Sequence, residues 1–322
     1  MKRIPDQAVM VYNIELAELL RAVPRADIKD ARVVRYIRRQ TRRSFDTLLP
    51  SLLLKNAFIR LYLEHAVPQC IRSLRSSSSL DGLFAALSEV YEDPECGALV
   101  YGDAFGLKRA NDAFGNEGGD NMLRAIAKAM KGRFSLSGRF YTGDEVIAFS
   151  EGSPRLAQMA VSDANLLMSS HVVDGLDTRV DFGIAEHSLV AKFYAEALLN
   201  GVIQHGVTPR APRQYFYDIA ISIAEARSKV VKAFELSMLL FYSLAYAKGG
   251  MDSKYGMQAH QDQVRTLTQR KKDSILPTPE WLDMNEQALA DHVRKLVIEK
   301  TFKKPPTDPL QNFIWHLTKE EF

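Results

Sequence analysis

The sequence has few of the residues that organise disulfide-rich or zinc-stapled proteins. Only Cys70 and Cys96 are cysteines among 322 residues, and no CxxC pair occurs, which excludes a disulfide framework and a thiolate zinc site. The seven histidines are scattered without an HExxH motif. The longest apolar run, 239–247, is too short to span a membrane and contains a serine and two tyrosines. The first ten residues are too polar for a signal peptide, so we expect a cytoplasmic protein.

Charge of both signs is abundant, but it is unevenly distributed. The net charge of +3 combines +8 in residues 1–75, −7 in residues 76–210 and +2 in residues 211–322. Two breaks coincide with these divisions, the serine run Ser76–Ser79 and the segment 206–212, which holds two prolines and a glycine. We therefore predict a helical basic N-terminal region (1–75), a mixed domain (80–206) and a helical C-terminal region (213–322).

A cluster of arginines marks the N-terminal region. On a helix these six side chains would fall within an arc of about 140°, opposite an apolar face. The members of this basic helix are Arg32, Arg35, Arg38, Arg39, Arg42 and Arg43. The face is either the solvated side of a helical bundle or a surface for an anion, such as nucleic acid, an acidic protein or the acidic domain of a second copy. Few aromatic residues accompany it, so sequence-specific reading of nucleic acid is not supported.

Helical and strand-like patterns alternate in the middle domain. Apolar spacing predicts the order α-β-α-α-β-β-α-β-α, an α/β (more narrowly α+β) domain with a central antiparallel hairpin. Residue ranges are assigned to eight of these nine elements, with one range for the two successive helices: helix 80–91, strand 97–101, helix 119–131, strands 139–141 and 146–149, helix 156–168, strand 178–185 and helix 190–199. The turn of the hairpin spans residues 142–145.

Carboxylates lie at the ends of two of these strands. Asp103 follows the first strand, and Asp144 and Glu145 occupy the tip of the hairpin. Because neighbouring strands are about 4.8 Å apart, these groups can meet, and such a cluster is costly unless a hard cation such as Mg²⁺ neutralises it. Carboxylate-held metals bind triphosphates and activate hydroxyl groups. The alternative interpretation is an ordinary hairpin turn with solvated acids.

Three segments together resemble the GGDEF, or diguanylate cyclase, family. The stretch Asp103–Asp120 resembles the first signature of the family, Asp-Ile-Asp-x-Phe-Lys-x-Ile-Asn-Asp-x-x-Gly-His-x-x-Gly-Asp. Thr142–Val146 stands where the family has Gly-Gly-Asp/Glu-Glu-Phe, and Val180–Ala185 resembles a late strand, Val-Ser-Ile-Gly-Ile-Ala. The order and spacing of the three agree over residues 80–206.

The resemblance implies a palm-like domain that joins two GTP molecules into cyclic di-GMP with Mg²⁺ or Mn²⁺, and two such domains that face each other in a homodimer. It implies metal ligation by Asp103, the carbonyl of Ala104 and Asp144, with Asp144 and Glu145 as catalytic residues. It also implies guanine binding by Asn111 and Asp120, and phosphate binding by Gly106, Leu107 and Lys108. An amide and a carboxylate can together satisfy the donors and acceptors of guanine.

Several positions depart from the family pattern. Phe105 replaces the second aspartate of the first signature, Thr142 the first glycine of the turn, and Val146 the phenylalanine. The stretch 199–205 lacks the lysine and arginine that the family directs to the terminal phosphate, and no Arg-x-x-Asp motif precedes the turn. Two alternatives therefore stay open: a degenerate domain that binds a guanine nucleotide as a regulatory sensor, and a nucleic-acid-binding accessory protein that uses Arg32–Arg43.

The C-terminal region is predicted to form an interaction or dimerisation module, with a protein partner bound through the helical flanks. We expect one or two helices over 215–246, a helix over 281–300 capped by Thr278, and a short final segment around 313–317. Two other residues carry minor predictions. His187 is expected in a solvated loop, and Cys96 as a small buried side chain.

Overall fold

The structure of the chain, a computed structural model, describes residues 62, 79–93, 95–140, 144–169, 178–203, 212–247, 275 and 277–322. The chain forms two compact units, Met1–Ala224 and Glu225–Phe322. In chain order the described elements are α1 (Leu80–Glu92), β1 (Ala98–Phe105), α2 (Leu107–Met130), β2 (Leu136–Phe140), β3 (Glu145–Ser150), α3 (Pro154–Ser169), β4 (Arg179–Glu186), α4 (His187–Leu199), α5 (Pro212–Ala247), a 3₁₀ turn (Pro279–Asp283), α6 (Glu286–Thr301) and α7 (Pro309–Glu320).

The first unit contains an antiparallel sheet of four strands in the order β2-β3-β1-β4. β1 is hydrogen-bonded on both sides, and its first five residues are all buried, as expected for a central strand of apolar residues. This sheet and the helices around it confirm the predicted α+β class and its central hairpin, β2–β3. The assignment to a palm-like cyclase domain remains a prediction.

Small side chains on one face of the sheet allow α2 and α3 to pack closely. Alanines alternate with larger apolar residues along the strands, so that this face interlocks with the two helices. The members of this core include Ala98, Val100, Ala104, Val146, Ala148 and Phe182 from the sheet, Ile126 and Met130 from α2, and Ala160 and Ala164 from α3. The end of β1 is therefore held between two strands and against a helical layer.

One helix stands where the predicted order has two in succession. α2 begins at Leu107, twelve residues before the predicted start at Gly119, and is interrupted by a kink at Gly115 (φ 68°, ψ −171°). Glycines and polar residues dominate 111–120, so the sequence has neither the apolar spacing nor the propensity that identifies a helix. The first motif thus begins at the end of β1 and continues as helix from Leu107 to Asp120, apart from the kink at Gly115.

The second unit has its own apolar core, and its α6 starts later than predicted. Thr278 precedes only the 3₁₀ turn and makes no capping hydrogen bond. Asn285 caps α6 instead, since its Oδ1 accepts a hydrogen bond from the N–H of Ala288 at 2.9 Å. The 3₁₀ turn lies between Thr278 and α6, and it places Trp281 in the core, where this side chain packs with Val293 and other residues of α6.

Some predictions concern residues that the structure does not describe. The basic helix Arg32–Arg43 lies outside the described residues and stays a prediction, as do the boundaries of the three predicted regions. Within the described ranges, none of the helices combines the length and the apolar character that crossing a membrane requires.

Candidate functional site

The end of β1 and the hairpin turn are joined by the backbone. The N–H of Ala104 donates a hydrogen bond to the carbonyl oxygen of Asp144 at 2.8 Å. In the strand register Asp103 is directly opposite Glu145 of β3. The structure thus brings together the predicted residues Asp103, Ala104, Asp144 and Glu145, while 141–143 in the same turn lie outside the described residues.

A further carboxylate, Asp181, completes a row across three strands. Asp103 is opposite Asp181 of β4 as well as Glu145 of β3, and directly opposed residues of antiparallel strands lie on the same face of the sheet. Glu145, Asp103 and Asp181 therefore form one line, which we call the carboxylate row. The side chain of Asp181 is only 2% exposed. The sequence signal for it is an aspartate flanked in a strand by the apolar residues Val180 and Phe182.

Asp181 has a cationic partner that sequence reasoning also missed. The Nε of Arg179 lies 3.5 Å from Oδ1 of Asp181, and the Arg179 side chain is 25% exposed. The guanidinium carbon of Arg179 sits 4.0 Å from the centroid of the Phe105 ring, which is directly opposite it in the register. This is a cation–π arrangement in which the aromatic ring orients the guanidinium beside the buried carboxylate.

The helix that carries the predicted phosphate and guanine residues begins directly after β1. Gly106 precedes α2 in the left-handed conformation (φ 83°), which glycine adopts without steric cost, and Leu107 and Lys108 form the first turn. The side chain of Lys108 is exposed. The backbone N–H groups of such a first turn are free of intrahelical partners, so this end of α2 is suited to an anion.

Asn111 and Asp120 lie on either side of the kink in α2, yet the kink brings them close. A Cβ atom placed on Gly119 would overlap Oδ1 of Asn111, so the Asn111 amide lies directly against the residue that precedes Asp120. The two predicted guanine ligands are therefore neighbours in space although nine positions apart in sequence. Glycine at 119 is what leaves room for the amide.

A buried arginine lies within electrostatic reach of two predicted site residues. Arg139 of β2 is 8% exposed, and burial lowers the pKa of its guanidinium, while the carboxylates of Asp120 and Asp144 act in the opposite direction and raise that pKa. Arg139 thus links the predicted guanine end of the site electrostatically to its predicted metal end. In the sequence it is simply an arginine in a strand before a turn, which carries no signal of this role.

The predicted metal ligands are all oxygen atoms, namely two carboxylates and a backbone carbonyl. Oxygen donors of this kind suit Mg²⁺ or Mn²⁺ rather than a softer metal. Among the described residues, no three or more Asp, Glu, His or Cys side chains are grouped so that they could hold a metal ion. The predicted set needs only two side chains, Asp103 and Asp144, and is smaller than such a group.

A buried histidine, His187, lies beside the end of β1 that is opposite to Asp103. The prediction for His187 is wrong: it is 0% exposed and begins α4. Its Nδ1 lies 2.7 Å from the carbonyl oxygen of Cys96, and its Nε2 lies 2.7 Å from the hydroxyl of Tyr62. Because a carbonyl only accepts, Nδ1 carries the proton and the Tyr62 hydroxyl donates to Nε2. Burial lowers the pKa of His187 to about 4.

Aromatic packing fixes this histidine in place. The ring of His187 stacks on Phe149, with ring centroids 5.5 Å apart, and meets Phe216 edge to face at 5.3 Å. Cys96 is buried at 6% exposure, as predicted. We call these residues, with Tyr62, the aromatic cluster. It is built for packing, and its member Cys96 stands seven positions before Asp103 in the chain.

Comparisons with known proteins add little to this geometry. No known protein family matches the sequence, and no curated protein matches it. One solved structure, the diguanylate cyclase SiaD in complex with its activator SiaC from Pseudomonas aeruginosa, shows 17% identity over 70% of this chain and 76% of that chain, with a TM-score of 0.32. Similarity at this level establishes neither a family nor a function.

Proposed function

We propose that the chain is a GGDEF-like diguanylate cyclase that condenses two GTP molecules into cyclic di-GMP with Mg²⁺ or Mn²⁺. The observation that carries this proposal is the 2.8 Å hydrogen bond from the N–H of Ala104 to the carbonyl of Asp144. That bond joins the end of β1 to the hairpin turn. It therefore holds Asp103 close to Asp144 and Glu145, the residues that the motif resemblance assigns to metal binding and catalysis. The helix that bears Asn111 and Asp120 begins just after this point, at Leu107.

Each residue then has a role that its chemistry suits. Asp103, the carbonyl of Ala104 and Asp144 would hold the metal, which would neutralise charge on the triphosphate and lower the pKa of the attacking hydroxyl. The Asn111 amide donates to and accepts from guanine, and the Asp120 carboxylate accepts from guanine N–H groups. Gly106, Leu107 and Lys108 bind phosphate through backbone N–H groups and an ammonium. These assignments follow the motif positions given above.

The reaction requires two nucleotides held face to face. The 3′-oxygen of one GTP bonds to the α-phosphorus of the other, pyrophosphate leaves, and the hydroxyl proton passes to Glu145, the carboxylate not assigned to the metal. A second such step closes the ring. Because each domain offers one guanine pocket, we propose a cytoplasmic homodimer, with the helical C-terminal region as the surface for a second copy or a protein partner.

The second candidate is a guanine-nucleotide sensor without turnover. The contact between Arg179 and Phe105 favours it. Phe105 stands where the resembled family has a second aspartate, and the guanidinium of Arg179 packs on its ring, so this position offers no carboxylate to a metal. A nucleic-acid-binding role for Arg32–Arg43 remains a prediction from the sequence.

Incubation with GTP and Mg²⁺, followed by chromatography and mass analysis, tests the proposal. The matched variants are Asp103→Asn and Asp163→Asn, since Asp163 is an exposed aspartate of α3. We expect cyclic di-GMP from the wild type and Asp163→Asn but not from Asp103→Asn. Protection against thermal unfolding by GTP without product would support the sensor. Neither product nor protection would refute both candidates.

A further inference from the structure

The carboxylate row raises a question of charge balance. Glu145, Asp103 and Asp181 lie on one face of three adjacent strands, with neighbouring strands about 4.8 Å apart. Like charges directly opposite each other destabilise a sheet, and a buried carboxylate needs a partner. Asp181, at 2% exposure, is the most deeply buried member of the row. When no metal ion is bound, the negative charge of the row must therefore be offset by a positively charged group of the chain itself.

Arg179 is the cation that the structure places there. Its Nε is 3.5 Å from the Asp181 carboxylate, and the Phe105 ring lies 4.0 Å from its guanidinium carbon. The side chain is three-quarters buried, so the pair is shielded from solvent far more than a surface ion pair. Phe105 stands directly opposite Arg179 in the pairing of β1 with β4, so its ring holds the guanidinium on the same face of the sheet as Asp181.

Two of these positions differ from the motif pattern. The second aspartate of the first signature is Phe105 here, and the late strand has Asp181 where the pattern has serine. Arg179 stands directly opposite Phe105, and Asp181 directly opposite Asp103. Compared with the motif pattern, β1 therefore lacks one carboxylate and β4 has one more. The extra carboxylate, Asp181, is paired with the guanidinium of Arg179. Phe105, Asp181 and Arg179 form one unit, because the Arg179 side chain contacts both of the others.

We propose that Arg179 is the resident counter-charge of the carboxylate row, and that a divalent cation bound at Asp103 takes over part of that role. Asp181 and Arg179 are then positioning residues: they hold the β4 side of the row in place for Asp103. This inference rests on the metal site of the proposed function but concerns residues that the motif resemblance does not assign.

Thermal unfolding of the full chain, with a chelator or with Mn²⁺ and without nucleotide, tests this directly. Arg179→Gln removes the counter-charge, and Arg227→Gln is the matched control, because Arg227 pairs with Glu321 at 2.8 Å and is similarly exposed, at 23%. In chelator we expect Arg179→Gln to lower Tm by about 5 °C. Mn²⁺ should then recover at least half of that loss, so that the metal-induced rise in Tm is larger in Arg179→Gln than in the wild type or in Arg227→Gln.

A second variant keeps the test decisive if Arg179→Gln does not fold. Arg179→Gln combined with Asp181→Asn removes both charges, so its Tm in chelator should be close to that of the wild type, because no uncompensated buried charge remains. Equal metal-induced rises in Tm for the wild type and Arg179→Gln would overturn the proposal. So would a double variant that is no more stable in chelator than Arg179→Gln alone.

These outcomes are separate from those of the nucleotide experiment. A protein that makes no cyclic di-GMP but shows the larger Mn²⁺ response in Arg179→Gln would refute the proposed function and support the counter-charge. A working cyclase with equal Mn²⁺ responses would support the proposed function and refute the counter-charge.

Discussion

The buried imidazole of His187 makes a quantitative prediction about pH. His187 is 0% exposed, and its pKa in the folded chain is about 4, compared with 6.5 for a free histidine. The unfolded chain therefore takes up a proton as the pH falls through 6.5, while the folded chain does so only near 4. The stability contributed by the neutral imidazole is complete above about pH 6.5 and is lost as the pH falls toward 4.

The size of this effect follows from the difference between the two pKa values. Between about pH 7.5 and about pH 4.5 the local free energy of opening should fall by about 2.5 kcal/mol because of this one group, which is roughly a seventy-fold change in the opening equilibrium. His187→Gln removes the titrating group, so the variant should lose that much less over the same range. Other titrating groups affect both proteins alike and cancel in the comparison.

The thiol of Cys96 is a local probe for the measurement. Cys96 is buried, and its carbonyl accepts the hydrogen bond from His187, so an opening that exposes the thiol also frees the imidazole. The labelling rate of Cys96 would be measured in a Cys70→Ser background and divided by the rate for the urea-unfolded protein at the same pH. The matched control is His316→Gln, because His316 is exposed in the second unit.

The wild type and the control should lose protection steeply with acid, and His187→Gln should not. An equal acid-induced loss in the wild type and His187→Gln would refute the reasoning. If glutamine at this position prevents folding, His187→Asn offers an amide N–H to the Cys96 carbonyl and serves the same comparison.

Three further substitutions test the packing around the site and in the second unit. Gly119→Ala should displace the Asn111 amide and abolish stabilisation by GTP in a thermal-shift assay; undiminished stabilisation would contradict the proposed guanine site. Gly102→Ala should cost about 1–3 kcal/mol in urea unfolding, because the added methyl overlaps Phe182 in the core, and a neutral result would contradict that packing. Asn285→Ala should destabilise the second unit by about 1 kcal/mol through loss of the helix cap, and no change would mean that the cap contributes nothing.

The sequence predicts the sheet well because the strands are short apolar runs with clear turns between them. Each predicted strand overlaps an observed one, and the hairpin Leu136–Ser150 has its turn at the predicted place. The site residues on β1 and the hairpin can be predicted from motif spacing. Once β1 pairs with β3, the register of the two strands alone places Asp103 opposite Glu145. α2 was foreseen only in its apolar second half, because its first half depends on the turn after β1 and on a glycine kink.

Residues that depend on distant pairing could not be read from the sequence. Asp181 and Arg179 become neighbours of Asp103 and Phe105 only because β4 pairs with β1, and that register is a property of the folded sheet. His187 is buried by contact with Tyr62, which lies 125 positions away along the chain. Thr278 is a residue type that commonly caps helices, but it precedes only the short 3₁₀ turn that contains the buried Trp281. α6 therefore begins later, at Glu286.

The placement of Asp181 also has a consequence for self-association. Within the described residues β4 is hydrogen-bonded on one side only, to β1, which makes it an edge strand of the described sheet. Open edges can pair with a strand of another molecule, and an inward-pointing charge on an edge strand opposes such pairing, because an added strand would confine that charge further. With Asp181 buried on β4, growth of the sheet from molecule to molecule is disfavoured at this edge, and an apolar residue at position 181 would remove that safeguard against aggregation.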